Sequence, residues 1–140
     1  MKHPGVLVLT VCLAAVAMSG RGLTRVEPLI EFTSSPAVAG GGDSLPTIQA
    51  CAYYVLVRGR LGHSGGFRLG AAVGLKGDTI AVRVEPYRVS EFTPRDWQDE
   101  RWTVRIGNLE ARSYTVTVRA AKTILTNRVA LNPRDGGCNE

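Results

Sequence analysis

His63 and Ser64 stand side by side in Gly62-His-Ser-Gly-Gly66, the Gly-x-Ser-x-Gly spelling of a nucleophile elbow. An elbow works on a strand-to-helix turn, with a histidine base further along the chain. The only other histidine is His3, so no histidine downstream can take a proton from Ser64. A serine without a base is a weak nucleophile. The segment is therefore expected to be a glycine-rich loop between strands, with His63 a solvated loop residue rather than a metal ligand or a pH-sensitive group. The chain has no His-Glu-x-x-His, no Cys-x-x-Cys and no phosphate-binding glycine loop. The sequence thus predicts no catalytic residues, no metal and no cofactor.

Cysteine gives the next candidate chemistry. Cys12 lies in the apolar run Val6–Ala17, behind Lys2 and ahead of small residues. A positive start, an apolar stretch and small residues at its end describe a secretory signal peptide over residues 1–19, cut after Ala17 or Ser19. The run falls short of the roughly 20 apolar residues that a membrane-spanning helix needs, so an uncleaved anchor is the lesser alternative. The bulky Val11 before Cys12 does not suit a lipid-anchored cysteine. The mature chain is then expected to be secreted or periplasmic, with Cys51 and Cys138 its remaining cysteines. An even pair in an oxidising compartment reads as a disulfide. Closing so long a loop contributes about 4–5 kcal/mol in the chain-entropy model. Two cysteines alone make a poor zinc site, since zinc normally takes four ligands.

The segment from Pro86 to Glu100 gathers Tyr87, Phe92 and Trp97 with Glu91, Asp96, Asp99 and Glu100. Thr93, Pro94 and Asp96 spell a helix start, which predicts one helical turn through Gln98. Aromatics rimmed by charge are what binding surfaces use, so Tyr87, Phe92 and Trp97 form a candidate binding loop. The competing expectation is that they close the open end of a core. Carbohydrate stacking is a lesser reading, and the carboxylates lack the spacing of a calcium loop.

The elements that must position these residues follow a period of two. Leu29–Thr33 makes a possible first strand. Residues 34–46 read as a flexible loop of Gly, Ser and Pro. From Cys51, Tyr53, Val55 and Val57 share one face, and Tyr54, Leu56 and Arg58 the other. After a glycine-rich break over Gly59–Gly66, Phe67, Leu69, Ala71, Val73 and Leu75 alternate into Lys76-Gly77-Asp78. Ile80, Val82 and Val84 then alternate on the far side of that turn, which makes a hairpin. Trp102, Val104 and Ile106 point inward in the next run, and Tyr114, Val116, Val118 and Ala120 in the one after it. A last strand is expected over about Leu125–Leu131. Arg83, Arg101, Arg105 and Arg119 all take the polar phase. Six or seven short strands with close turns predict an all-β, antiparallel two-sheet sandwich behind a signal peptide. Its domain occupies residues 49–140, preceded by a leader over 20–48 to which 29–33 adds a strand.

One stretch carries a resemblance. Leu109-Glu-Ala-Arg-Ser-Tyr114-Thr-Val-Thr-Val-Arg-Ala120 resembles the corner of immunoglobulin-like, fibronectin type III-like and transthyretin-like sandwiches, where a Leu precedes the corner and a Tyr opens the next strand. The resemblance implies that Leu109 plugs the core and that the Tyr114 hydroxyl bonds back to the corner backbone. Ala111 and Arg112 depart from the Pro and Gly common there. The Leu-to-Tyr spacing is closer to the transthyretin-like pattern.

Composition narrows the function further. The chain has 140 residues, 17 basic and 12 acidic, for a net charge of +5. Loss of Lys2 with the signal leaves about +4. The arginines are scattered along the sequence, and their excess over lysine reads first as genome composition, so no nucleic-acid partner is expected. The expected function is an exported, non-enzymatic module that binds a protein or cell-envelope component. The alternative is a structural envelope domain without a specific ligand, with a small hydrolase or carbohydrate-binding module behind both.

Overall fold

Alternation of apolar and polar residues turns each strand into a two-faced ribbon, and burying the apolar faces together requires two sheets. A computed structural model describes residues 27–38, 44–91, 96–136 and 138. Its strands are β1 (Leu29–Pro36), β2 (Ser44–Cys51), β3 (Tyr54–Ser64), β4 (Phe67–Lys76), β5 (Thr79–Arg88), β6 (Trp97–Gly107), β7 (Ser113–Ala120) and β8 (Thr123–Ala130). A short 3-10 turn, Pro133–Asp135, follows them. Sheet A has the order β1-β6-β3-β2 and sheet B the order β4-β5-β7-β8. The chain is an all-β, two-sheet sandwich, antiparallel except where β5 runs parallel to β7.

The core lies between the sheets. Val55, Val57, Leu61, Trp102, Val104 and Ile106 of sheet A meet Ile80, Val82, Val84, Tyr114, Val116 and Val118 of sheet B, all buried. The inward phases expected for β5, β6 and β7 are those observed. On β4, Leu69 and Val73 are buried, but Leu75 lies exposed beyond the core.

Four local expectations change. Ser44–Cys51, its first three residues expected to be loop, is an edge strand paired with β3 through an irregularity between Ser44 and Thr47. The leader expected over 20–48 therefore supplies β1 and most of β2 to sheet A. Pro46 hid the strand, because proline within a sheet is confined to edges and bulges. The glycine-rich break is not a loop: β3 runs unbroken through Gly59 and Gly62 to Ser64, leaving a turn at Gly65-Gly66 before β4 starts in the other sheet. The helical turn expected through Gln98 gives way to strand, since Trp97 and Gln98 pair with Ser64 and His63. Pairing across β6 satisfies that backbone more fully than one helical turn does. The last strand begins at Thr123, after a two-residue turn in which Ala121 has φ 51°. The signal peptide, residues 39–43, Phe92 and the Thr93-Pro94 cap lie outside the described residues.

Cys51 and Cys138 form a disulfide with their Cα atoms 5.2 Å apart. It ties the C-terminal tail to the end of β2, and the Cys138 amide donates to the Tyr54 hydroxyl at 3.2 Å. The corner between β6 and β7 crosses from one sheet to the other. Leu109 is buried in the core there, and the Tyr114 hydroxyl donates to the Glu110 carbonyl at 3.2 Å. Arg112 closes the arrangement, donating from Nε to the Tyr114 hydroxyl and from Nη2 to the Gly77 carbonyl. The bond to Tyr114 is the main cause that raises the Arg112 pKa above its ordinary value.

Candidate functional site

The three aromatics expected to share a loop are not assembled into one. β5 extends to Arg88 and β6 starts at Trp97, so only the short span between them is irregular. Its described ends bond to the β3–β4 turn: Val89 N donates to Gly66 O at 2.9 Å, and Gly65 N to Asp96 O at 2.8 Å. Tyr87 shares the phase of Arg83 and Glu85, the outer face of sheet B. Trp97 shares the phase of Arg101, Thr103 and Arg105, the outer face of sheet A. The two rings therefore point away from each other across the sandwich. Each lies over a glycine, Tyr87 over Gly70 and Trp97 over Gly62.

Trp97 is 68% exposed yet held in place. Its Nε1 donates to Asp99 Oδ1 at 3.2 Å, and Arg60 Nη2 donates to Asp99 Oδ2 at 3.1 Å. The indole and the guanidinium together cover Asp99, which is buried although it takes the outward phase. Arg60 also reaches the Val38 carbonyl.

His63 corrects the sequence expectation. It is not a solvated loop residue but a buried one within β3. Its Nε2 lies 2.6 Å from Glu100 Oε2, and its Nδ1 lies 2.8 Å from the backbone oxygen of Ser64. Both ring nitrogens thus have an oxygen partner, one from a side chain and one from the backbone. The contact to Ser64 is to its carbonyl, and the chain continues from there through a turn into β4, not into a helix. The strand-to-helix geometry of an elbow is absent at this position.

The outer face of sheet A brings together what the sequence scatters. Register places Leu56 opposite Arg105, Arg58 opposite Thr103 and Arg60 opposite Arg101, with Glu31 beside Arg105 and Thr33 beside Thr103. Four arginines separated along the chain thus share one face with Glu31 and Asp99. A depression of about 370 Å³ lies there, lined by Glu31, Thr33, Leu56, Arg58, Thr103 and Arg105. A second, of about 270 Å³, involves Tyr53, Tyr54 and Asn108 and shares Glu31 and Arg105 with the first. The two shallow hollows form one open groove. Its floor includes buried Leu56, its sides carry hydroxyls and guanidinium groups, and Tyr53 stands exposed at one end. Arg105 is fixed within it, stacked over the Tyr54 ring at 4.2 Å and 3.8 Å from Glu31.

Sequence reasoning missed this groove. Its signal was present in the polar phase of the strands, where Tyr54, Leu56 and Arg58 follow one another two residues apart. Which strand lies beside which had to be known before that phase became a surface. Among the described residues no cluster of three or more His, Cys, Asp or Glu side chains has metal-binding geometry, and no helix is long and apolar enough to cross a membrane.

The fold is a small β-sandwich with two adjoining hollows on the outer face of sheet A. No family model, curated protein or solved structure matches the chain.

Proposed function

We propose that this chain is an exported, non-enzymatic binding module, acting in the periplasm or outside the cell. Its ligand is an extended, carboxylate-bearing segment of an envelope protein, seated across the outer face of sheet A. The observation that carries the reading is the groove shared by Arg58, Arg105, Thr33 and Thr103 over the Leu56 floor. Guanidinium groups bind carboxylates in a fixed two-pronged geometry. Hydroxyls beside them suit the polar backbone of an extended chain, and an apolar floor rewards its side chains. The signal-like amino terminus and the Cys51–Cys138 disulfide support export. Within β-sandwiches, the Leu109 plug and the Tyr114-to-Glu110 bond support kinship with immunoglobulin-like modules, with spacing closer to transthyretin-like ones.

The test is a photo-crosslinking amino acid placed at Thr103 in the exported full chain, with a second at Thr117 on the outer face of sheet B as control. The expected outcome is a discrete crosslinked envelope protein from Thr103 alone, lost when Arg58→Glu is added to a chain that still melts normally. Identical background from both positions would leave the chain a structural envelope domain.

A further inference from the structure

Every open sheet has two edges, and an edge is a row of unpaired backbone donors and acceptors. β2 is blunted by Pro46, by its irregular register and by the disulfide-tied tail. β1 ends in Pro36 and carries Glu31, and β8 carries Arg128 near its end. β4 has no proline, no irregular register and no tail across it, and its charges, Arg68 and Lys76, stand only near its two ends. It is ten residues long and pairs with β5 on one side. Between Arg68 and Lys76 it runs Leu-Gly-Ala-Ala-Val-Gly-Leu, seven residues without charge or proline. Such an edge left bare is an aggregation site.

We propose that a second copy of this chain covers it, β4 against β4, joining the two B sheets into one. The register follows from the hairpin. Lys76 faces Thr79 across a two-residue turn, so that closing pair is hydrogen-bonded. Bonded and non-bonded positions alternate along an antiparallel pair. Arg68, Gly70, Ala72, Gly74 and Lys76 therefore spend their backbone groups on β5. Phe67, Leu69, Ala71, Val73 and Leu75 turn theirs to the open edge.

A two-fold pairing must place these odd-numbered residues opposite one another. Centred on Ala72, it sets Arg68 directly against Lys76 of the other copy, twice over. Centred on Ala71, it sets Arg68 against Gly74, Gly70 against Ala72, Leu69 against Val73 and Phe67 against Leu75. No like charges stand directly opposite one another, and the apolar inner faces match throughout. The exposed end of Leu75 is then covered by an aromatic ring. The edge is self-complementary in this register, and this selects a second copy over an unrelated strand.

Gly74 offers the test, because a Cβ added there meets no atom within 4 Å beyond its chain neighbours. Gly74→Glu sets a carboxylate opposite Arg68 of the other copy, and Gly74→Lys sets an ammonium there. Each contact occurs twice per dimer, so Gly74→Lys is expected to raise the dissociation constant about tenfold and Gly74→Glu to lower it. Ala71→Pro removes an edge-facing donor while leaving the β5 bonds intact, and is expected to give a folded monomer. Sedimentation of the exported full chain from nanomolar to high micromolar concentration reads all three, with melting curves confirming that each variant folds. A monomer throughout overturns the proposal. So does a dimer that ignores the sign of the charge at position 74 or survives Ala71→Pro.

Discussion

Gly59 and Gly62 sit three residues apart on β3 and face opposite sides of sheet A. The same substitution, Gly to Ala, is expected to have opposite consequences at the two. A Cβ on Gly59 would fall inside the indole of Trp102, which is 1% exposed and packed against the facing sheet. Trp102 then has to leave its rotamer within a close-packed core, and overpacking of this kind costs about 1–3 kcal/mol and occasionally more. The alanine gives back about 0.4–1 kcal/mol through the unfolded chain. Gly59→Ala is therefore expected to destabilise by roughly 1–2 kcal/mol net. A Cβ on Gly62 also meets an indole, that of Trp97, but this ring is 68% exposed and has solvent to move into once its bond to Asp99 is broken. That movement forfeits one part-buried hydrogen bond to Asp99, about 0.5–1 kcal/mol, which the alanine term offsets. Gly62→Ala should be close to neutral. Urea unfolding supplies both numbers. Tryptophan emission in a Trp97→Phe background reports Trp102 alone, and should redden in Gly59→Ala. A Gly59→Ala protein as stable as the parent, with unshifted emission, would refute the placement of Trp102 beneath β3.

Two further outcomes bear on the turns. Tyr114→Phe removes the bond from the corner hydroxyl to Glu110 and is expected to cost about 1 kcal/mol, seen as a melting point roughly 4–8 °C lower. An unchanged melting point would make the corner bond incidental. Ala121 holds φ at 51° in the two-residue turn between β7 and β8, a region that alanine enters at a cost of about 1–2 kcal/mol. Ala121→Asn should therefore raise stability by about 0.5–1 kcal/mol in the same melting assay, since asparagine favours this turn.

The amino-acid sequence alone determined the class of fold. Period-two runs such as Ile80-Ala-Val-Arg-Val84 and Trp102-Thr-Val-Arg-Ile106 have one way to bury an apolar face, and the expected inward residues of these strands are the core. The Cys51–Cys138 pair was legible because Cys12 falls in the signal-like apolar run and the other two cysteines then admit one pairing, and the Leu109–Tyr114 corner because its hydrogen bond is local. Only the tertiary structure decided the rest, because sheet order is set by contacts between distant segments. β2 escaped notice since its backbone pairs with β3 despite Pro46, and His63 was misplaced since pairing with β6 carried β3 through its glycines. The aromatics Tyr87 and Trp97 are near in sequence but were sent to opposite faces by the crossing from sheet B to sheet A. The arginines at positions 58, 60, 101 and 105 were gathered by the β3–β6 register. A strand's phase says which side a residue takes. What stands beside it on that side depends on strand partners that no local pattern specifies.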